Sequence, residues 1–352
     1  MNVGLLVPLT GSAGIFGPSS ELCARLATEE INAAGGLLDH PVRLRIIDGS
    51  GAPQAVADDV ERLVSRGEID AVVGWHISAV RHAVAPRLSM RVPYVYTALY
   101  EGGETTPGVF VVGETPDQQV LPALRWLAAE RGLRRWALVG NDYVWPRRTA
   151  AVTRRSAEDL GIEICDEMFV PLGTEDFVST IGRLLASQAD GVLMLLVGQD
   201  AARFNRAFAD VGLDERCCRL SPLVEETTLL ASGVDATANL CASAAYFESL
   251  VTPEALAFGA RYMARFGACA PTLNSPAESC YEGLMLLSAL TREADSLDTA
   301  ALSRASARVE YDSPRGGLRL RDRHLQQRTY LAEADGFGLN VSHELQVPAG
   351  RA

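Results

Sequence analysis

Residues 4–36 read GLLVPLTGSAGIFGPSSELCARLATEEINAAGG, and this stretch decides the fold class. Gly4 to Val7 is an apolar run of strand length. A Gly-rich loop follows through Gly17. Pro18 and Ser19 then open a helix that turns Leu22, Leu26 and Ile31 toward a core, and Gly35-Gly36 stops it. The same unit recurs downstream. Val42 to Ile47 alternates as a strand, and Val56, Val60, Leu63 and Val64 recur at helical spacing up to Gly67. Ala71 to Val73 is a third buried run, a helix is predicted from about Ala79 to Met90, and Tyr94 to Tyr96 is a fourth strand. Repeated strand–helix units imply a parallel sheet covered by helices on both faces.

The alternation then starts afresh. Val120 to Ala129 reads as a helix, Trp136 to Val139 as a strand, and Pro146 sits where the next helix would begin. Strands are expected within Ile162 to Val170, at Val192 to Val197 and at Arg219 to Ser221. Phe177, Val178, Ile181, Leu184 and Leu185 make one apolar helical stripe between them; Phe204, Ala207, Phe208 and Val211 make another. The last third differs: helices from about Glu254 to Phe266 and Ala277 to Thr291 come without a long strand between them. Short strand-like pieces follow near Val309, Leu318 and Thr329-Tyr330-Leu331. Helices added after the second block closes imply that the chain returns to the first. The reading is therefore α/β, with two doubly wound parallel-sheet lobes joined by a multi-strand hinge. The expected lobes are 1–115 with 247–325, and 116–246 with 326–352.

Composition narrows the function. The 352 residues suffice for two domains of about 100–200 residues each, and 48% hydrophobic content is enough to build their cores. A net charge of -12 repels phosphate backbones and anionic membranes, which disfavours nucleic acid as a direct partner. No apolar run approaches the roughly 20 residues that cross a bilayer. Met1-Asn2-Val3-Gly4 shows neither a basic region nor a cleavage site. A cytoplasmic address is the expectation, with a periplasmic or extracellular one if a leader has been removed. The seven cysteines, Cys23, Cys165, Cys217, Cys218, Cys241, Cys269 and Cys280, form no CxxC pair. Their odd number suits reduced thiols better than an oxidised framework. The vicinal Cys217-Cys218 could react, but reads best as part of a buried strand edge.

Ligands of open parallel sheets bind beyond the carboxyl ends of the strands. Three such ends are polar and aromatic: Trp75-His76-Ile77-Ser78, Tyr96-Thr97-Ala98-Leu99-Tyr100, and Asn141-Asp142-Tyr143-Val144-Trp145. Ser78 is expected to cap the helix after it, either as a plain cap or as a donor to a carbonyl or carboxylate. Tyr143 and Trp145, two apart on what reads as an extended stretch, would face one side as flat walls for a small planar molecule, as a cage for a cation, or as ordinary packing. Glu225 and Glu226 are helix-terminal carboxylates, and Glu225 is the candidate partner for a ligand ammonium. There is no GxGxxG after a strand, no GxxxxGK[ST], no HExxH and no GxSxG. His76 two residues from Ser78 is the one weak hint of a nucleophile–base pair. No metal or cofactor is expected.

These pieces, taken in order, resemble a known family. Gly4-Leu5-Leu6, Thr10-Gly11, Glu29-Glu30-Ile31-Asn32 before Gly35-Gly36, and Tyr100-Glu101-Gly102 belong to the likeness. So do Asp142-Tyr143 with Pro146-Arg147, Pro171-Leu172, Val197-Gly198, Glu226, and Ser313-Pro314 with Gly316 and His324. The chain is similar to type I periplasmic binding proteins, within them the urea and short-chain-amide branch, and most of all its cytoplasmic amide-sensing negative regulators of amidase operons. The resemblance implies a ligand held between lobes by Ser78, by Tyr96 with its neighbours Thr97 and Ala98, and by Tyr143 and Trp145. His76 stands where the relatives carry Tyr, Ala98 where they carry Thr, and Trp145 where they carry a second Tyr. Two hydroxyls are lost and one ring grows, which disfavours acetamide and leaves another amide, a urea-like compound or an amino acid. The implied function is non-catalytic binding, with hinge closure read by an antiterminator-type regulator. The alternative is the substrate-binding component of an ABC transporter, read by a permease, and an amide hydrolase ranks third. Self-association as a homo-oligomer is compatible with either binding role.

Overall fold

The computed structural model describes residues 1–346. In chain order the first block comprises β1 (Asn2–Val7), α1 (Gly17–Ala33), β2 (Arg43–Asp48), α2 (Pro53–Ser65), β3 (Ala71–Gly74), α3 (Ser78–Leu88), β4 (Tyr94–Tyr96) and β5 (Val109–Val111). The second comprises α4 (Val120–Glu130), β6 (Arg135–Asn141), α5 (Val144–Leu160), β7 (Glu163–Val170) and α6 (Val178–Ser187). It continues through β8 (Gly191–Leu195), α7 (Gln199–Ala209), β9 (Cys218–Ser221), α8 (Glu226–Ser232) and β10 (Leu240–Ala244). After these come α9 (Pro253–Phe266), α10 (Ser275–Ala294), α11 (Thr299–Ala305), β11 (Glu310–Ser313), β12 (Gly316–Arg321), β13 (His324–Gln326), β14 (Tyr330–Asp335) and β15 (Gly338–Glu344).

The chain divides into two compact units. One gathers Met1–Leu99, Gly103–Gly113 and Leu250–Gln327; the other gathers Tyr100–Gly102, Glu114–Ser249 and, of the described residues, 328–346. The first holds a sheet in the order β11-β12-β13-β5-β4-β3-β1-β2, and the second a sheet in the order β15-β14-β10-β9-β8-β6-β7. In each, the strands of the alternating block run parallel. Neither sheet is wholly parallel, because the late strands add antiparallel edges. The cause is loop length. Only Asp322-Arg323 separates β12 from β13, both with positive φ (50° and 66°), and a two-residue turn of that kind joins antiparallel neighbours alone.

Close approach fixes the first unit around β3. A Cβ on Gly74 would lie 2.0 Å from the Leu6 carbonyl oxygen, so only glycine lets the end of β3 press against β1. On the helix side, a Cβ on Gly283 of α10 would lie 2.5 Å from Thr97 Cγ2 and 2.8 Å from Val73 Cγ1. Helix α10 is buried nearly all round and therefore carries its polar residues inside. Arg315 Nε donates to Glu278 Oε2 at 2.7 Å, with both side chains at 1% exposure or less. The same guanidinium donates to Gln327 Oε1 at 2.5 Å, and Gln327 Nε2 donates to the Val112 carbonyl at 2.9 Å. Tyr311 donates to Glu282 beside it. Val112 and Gln327 stand at two of the three places where the chain leaves the first unit, so this network ties those two together.

Candidate functional site

In the first unit the candidate residues lie at the carboxyl ends of β3 and β4. His76 is fully buried. Its Nε2 is 2.8 Å from the Tyr94 hydroxyl and its Nδ1 3.3 Å from the Ile77 carbonyl, which assigns the ring proton to Nδ1 and leaves Nε2 to accept from Tyr94. Burial, helped by the Arg81 charge, lowers the imidazole to about 3, so it stays neutral at physiological pH. The Tyr96 hydroxyl donates to the His76 carbonyl at 2.8 Å, and the Arg81 guanidinium lies 5.0 Å from the centre of the Tyr96 ring. Arg81 Nε is 3.0 Å from Glu104 Oε2 in a pair that is buried on both sides. Sequence reading passed over this pair, because Glu104 is on a loop far from Arg81 in sequence.

Ser78 does not cap its helix. Ile77, with ψ 149°, occupies the cap position, and Ser78 is the first residue of α3. Its side chain is 1% exposed and its Oγ has no hydrogen-bond partner. The hydroxyl thus stands without a partner at the first residue of an eleven-residue helix. The nucleophile–base reading of His76 and Ser78 fails on this geometry, since both imidazole nitrogens are engaged elsewhere. Thr97 faces α10: its Oγ1 accepts from Ser279 Oγ at 3.4 Å and lies 3.9 Å from Cys280 Sγ. Ala98 is buried beside it and contributes backbone only.

In the second unit, Tyr143 and Trp145 follow β6. The extended stretch expected there ends at Tyr143 (φ -150°, ψ -175°); α5 begins at Val144, two residues before Pro146, and Trp145 is already helical. The rings still meet, with centroids 6.2 Å apart at 41°, Tyr143 half-buried and Trp145 buried. The turn that carries them is braced from below. Asn141 Nδ2 donates to Asp200 Oδ2 at 2.7 Å, Asn141 Oδ1 accepts from Val197 N at 2.9 Å, and Asp200 Oδ2 accepts from Gly173 N at 2.8 Å. Two buried side chains thus lock the ends of β6 and β8 and the loop after β7.

Glu225 and Glu226, adjacent in sequence, have different tasks. Glu225 is the cap of α8. Its Oε1 accepts from the Thr228 N–H and hydroxyl, both at 2.7 Å, and its Oε2 accepts from the Thr227 N–H at 2.7 Å. Glu226 accepts from Glu248 N at 3.0 Å through Oε1, while its buried Oε2 has no partner. Burial, then repulsion from Glu225, pushes the Glu226 carboxyl up to about 8.

The sequence model of one family, described as periplasmic binding protein, matches residues 1–338. The chain belongs to that family. As a member it is a ligand-binding protein and not an enzyme. Among curated relatives, Leu/Ile/Val-binding protein homolog 6 of Brucella melitensis is 26% identical over 283 residues, covering 78% of this chain and 72% of that protein. An amino acid binding protein of Pseudomonas aeruginosa is 25% identical over 222 residues, covering 61% and 58%. Two solved structures share the fold. An ABC transporter solute-binding protein of Rhodopseudomonas palustris HaA2, in complex with p-hydroxybenzoic acid, superposes with TM-score 0.87 at 22% identity, covering 98% and 96% of the chains. The branched-chain amino acid substrate-binding protein of Streptococcus pneumoniae, in complex with isoleucine, gives 0.84 at 17%, covering 97% and 99%. No helix among the described residues is long and apolar enough to cross a membrane.

Proposed function

We propose that this protein binds a free amino acid and delivers it to the permease of an ABC transporter from the periplasm. One observation carries the reading: among the buried polar groups without a partner, each unit has one at a helix start, and the two are of opposite sense. In the first it is the Ser78 hydroxyl at the start of α3, and in the second it is Glu226 Oε2. An α-carboxylate fits the hydroxyl and the helix N–H groups, and an α-ammonium fits the glutamate, so a zwitterion offers a partner for each kind of group. Tyr143 and Trp145 offer aromatic surface to the ligand's side chain, and a ligand that binds one conformation of the protein better shifts it toward a form that a permease distinguishes. Family membership and the amino-acid-binding relatives support this role, and the family's periplasmic address accompanies it.

The deciding experiment is calorimetric titration with the common amino acids, 4-hydroxybenzoate, acetamide and urea, on wild type and on Ser78→Ala and Tyr143→Ala. The reading expects an amino acid to bind and both variants to weaken it without unfolding. Tight binding of 4-hydroxybenzoate alone, or amino-acid affinity untouched in both variants, refutes it. A second reading has one observation in its favour. With His76 neutral and Glu226 raised to about 8, the polar groups named here carry little charge at pH 7, which suits a neutral amide. On that reading the protein is a cytoplasmic amide sensor whose closure is read by an antiterminator-type partner, and acetamide or a larger amide is the ligand that binds.

A further inference from the structure

Cys218 of β9 and Cys241 of β10 have their sulfurs 3.9 Å apart, both side chains at 2% exposure or less. The Arg131 guanidinium donates to Cys241 Sγ at 3.7 Å and pairs on its outer side with Glu333. The strand register decides what such a pair can do. Cys241 is opposite Leu220, so the two cysteines are offset by two residues on one face of neighbouring parallel strands. Strand spacing and rise then set their Cα atoms about 8 Å apart. A disulfide requires less than about 7 Å, and its bond would also draw the sulfurs together by about 1.9 Å, so the strands would have to shift. A thiolate–metal bond of about 2.3 Å gives a linear sulfur–metal–sulfur bridge of about 4.6 Å, which the present sulfurs reach by moving apart about 0.7 Å through side-chain rotation alone.

We infer that Cys218 and Cys241 form a binding site for a soft monovalent d10 cation such as Cu(I), held linearly by two thiolates. Soft thiolates select such ions over hard divalent ones. Binding displaces the two thiol protons to solvent and moves no electron. Two thiolates and one monovalent cation carry a net single negative charge, which Arg131 faces directly. Glu333 and Cys217 are the other titratable groups in this surrounding, and Glu333 is held in its pair with Arg131. Arg131 and Glu333 are partly exposed, so parting them opens the way in.

The test is anaerobic titration of the full chain with Cu(I) in competition with bathocuproine disulfonate. Wild type should retain one equivalent. Cys218→Ser and Cys241→Ser should each lose more than the roughly 10–100-fold that removal of a mere outer partner costs, and Cys217→Ser and Cys269→Ser should retain it. X-ray absorption of loaded wild type, which requires no variant, should show two sulfur neighbours and no nitrogen. Absence of retained Cu(I), retention in the Cys218→Ser or Cys241→Ser protein, a third ligand in the absorption spectrum, or conversion of wild type to a Cys218–Cys241 disulfide by oxidised dithiothreitol overturns the inference.

Discussion

Glu226→Gln tests whether the carboxyl without a donor is the acidic half of the binding site. Its carboxyl stands at about 8 in the folded protein against an ordinary 4.5. Between those values the folded state keeps a proton that the unfolded state has already lost. Stability therefore falls as pH rises through this window, and the loss is complete above pH 8. A shift of 3.5 units at 1.36 kcal/mol each amounts to about 5 kcal/mol, comparable to the lower end of a domain's whole stability. Gln has the same shape and an oxygen for the Glu248 N–H, but no charge to desolvate. Urea denaturation at pH 5, 7 and 9 should show the unliganded wild type losing about 5 kcal/mol relative to Glu226→Gln, most of it by pH 8. Parallel pH profiles for the two proteins would refute the reasoning.

The same group separates the two functional readings. An ammonium ligand demands the carboxylate, so binding at pH 7 must expel the proton that Glu226 holds. Calorimetry in buffers of different ionisation enthalpy should register close to one proton released per amino acid bound by wild type, and none by Glu226→Gln. A neutral amide leaves the proton in place. Amino-acid binding without proton release would remove Glu226 from the ammonium subsite.

Three other perturbations follow from the geometry. Ser78→Ala removes a hydroxyl that has no partner, so thermal melts of the unliganded protein should be unchanged or slightly higher while ligand affinity falls tenfold or more, about 1–3 kcal/mol; a lower melting point would show that the hydroxyl is bonded in the free protein. Arg315→Met leaves Glu278 buried and unpaired and should cost about 3–5 kcal/mol in urea unfolding, most of it recovered with Glu278→Leu added; a single-variant loss below about 1 kcal/mol would refute the buried pair. Asp200→Ala strands the Asn141 amide and the Gly173 N–H, with an expected loss of about 1–3 kcal/mol and weaker ligand binding through a loosened Tyr143 turn; unaltered stability would show the brace to be dispensable.

The parallel strands were legible where β-branched and large apolar residues are concentrated: β4 falls on Tyr94–Tyr96, where its pattern predicts it. β5, β10, β13 and β15 were not, and the first two show why. β10 reads Leu-Cys-Ala-Ser-Ala, small residues without alternation, because it is buried on both faces and packs where volume is limited. β5 is three residues after Gly108, too short to carry a period. At the site, residue type was legible and position within the turn was not. Ile77 takes the cap because its backbone is extended, although Ser is the better capping side chain, and the hydroxyl one residue later is left over for another purpose. Tyr143 and Trp145 meet for a reason other than strand alternation: a half-turn of helix brings the second ring round to the first.

Glu225-Glu226 shows why such choices exceed the reach of residue spacing. Both are acidic residues at a helix start, and Glu is a weak capping residue, so sequence offers no reason to prefer one. The structure divides them by backbone conformation. Glu225 is extended and turns its oxygens back onto Thr227 and Thr228, while Glu226 is the first helical residue and points its free oxygen elsewhere. The division has an electrostatic consequence. The capping carboxylate is the charge that, after burial, raises its neighbour most. Ionising Glu226, as the proposed ammonium ligand requires, must therefore work against both desolvation and Glu225, which keeps the carboxyl neutral until a ligand brings its own charge. The order of the two along the chain decides which glutamate caps the helix and which is held neutral.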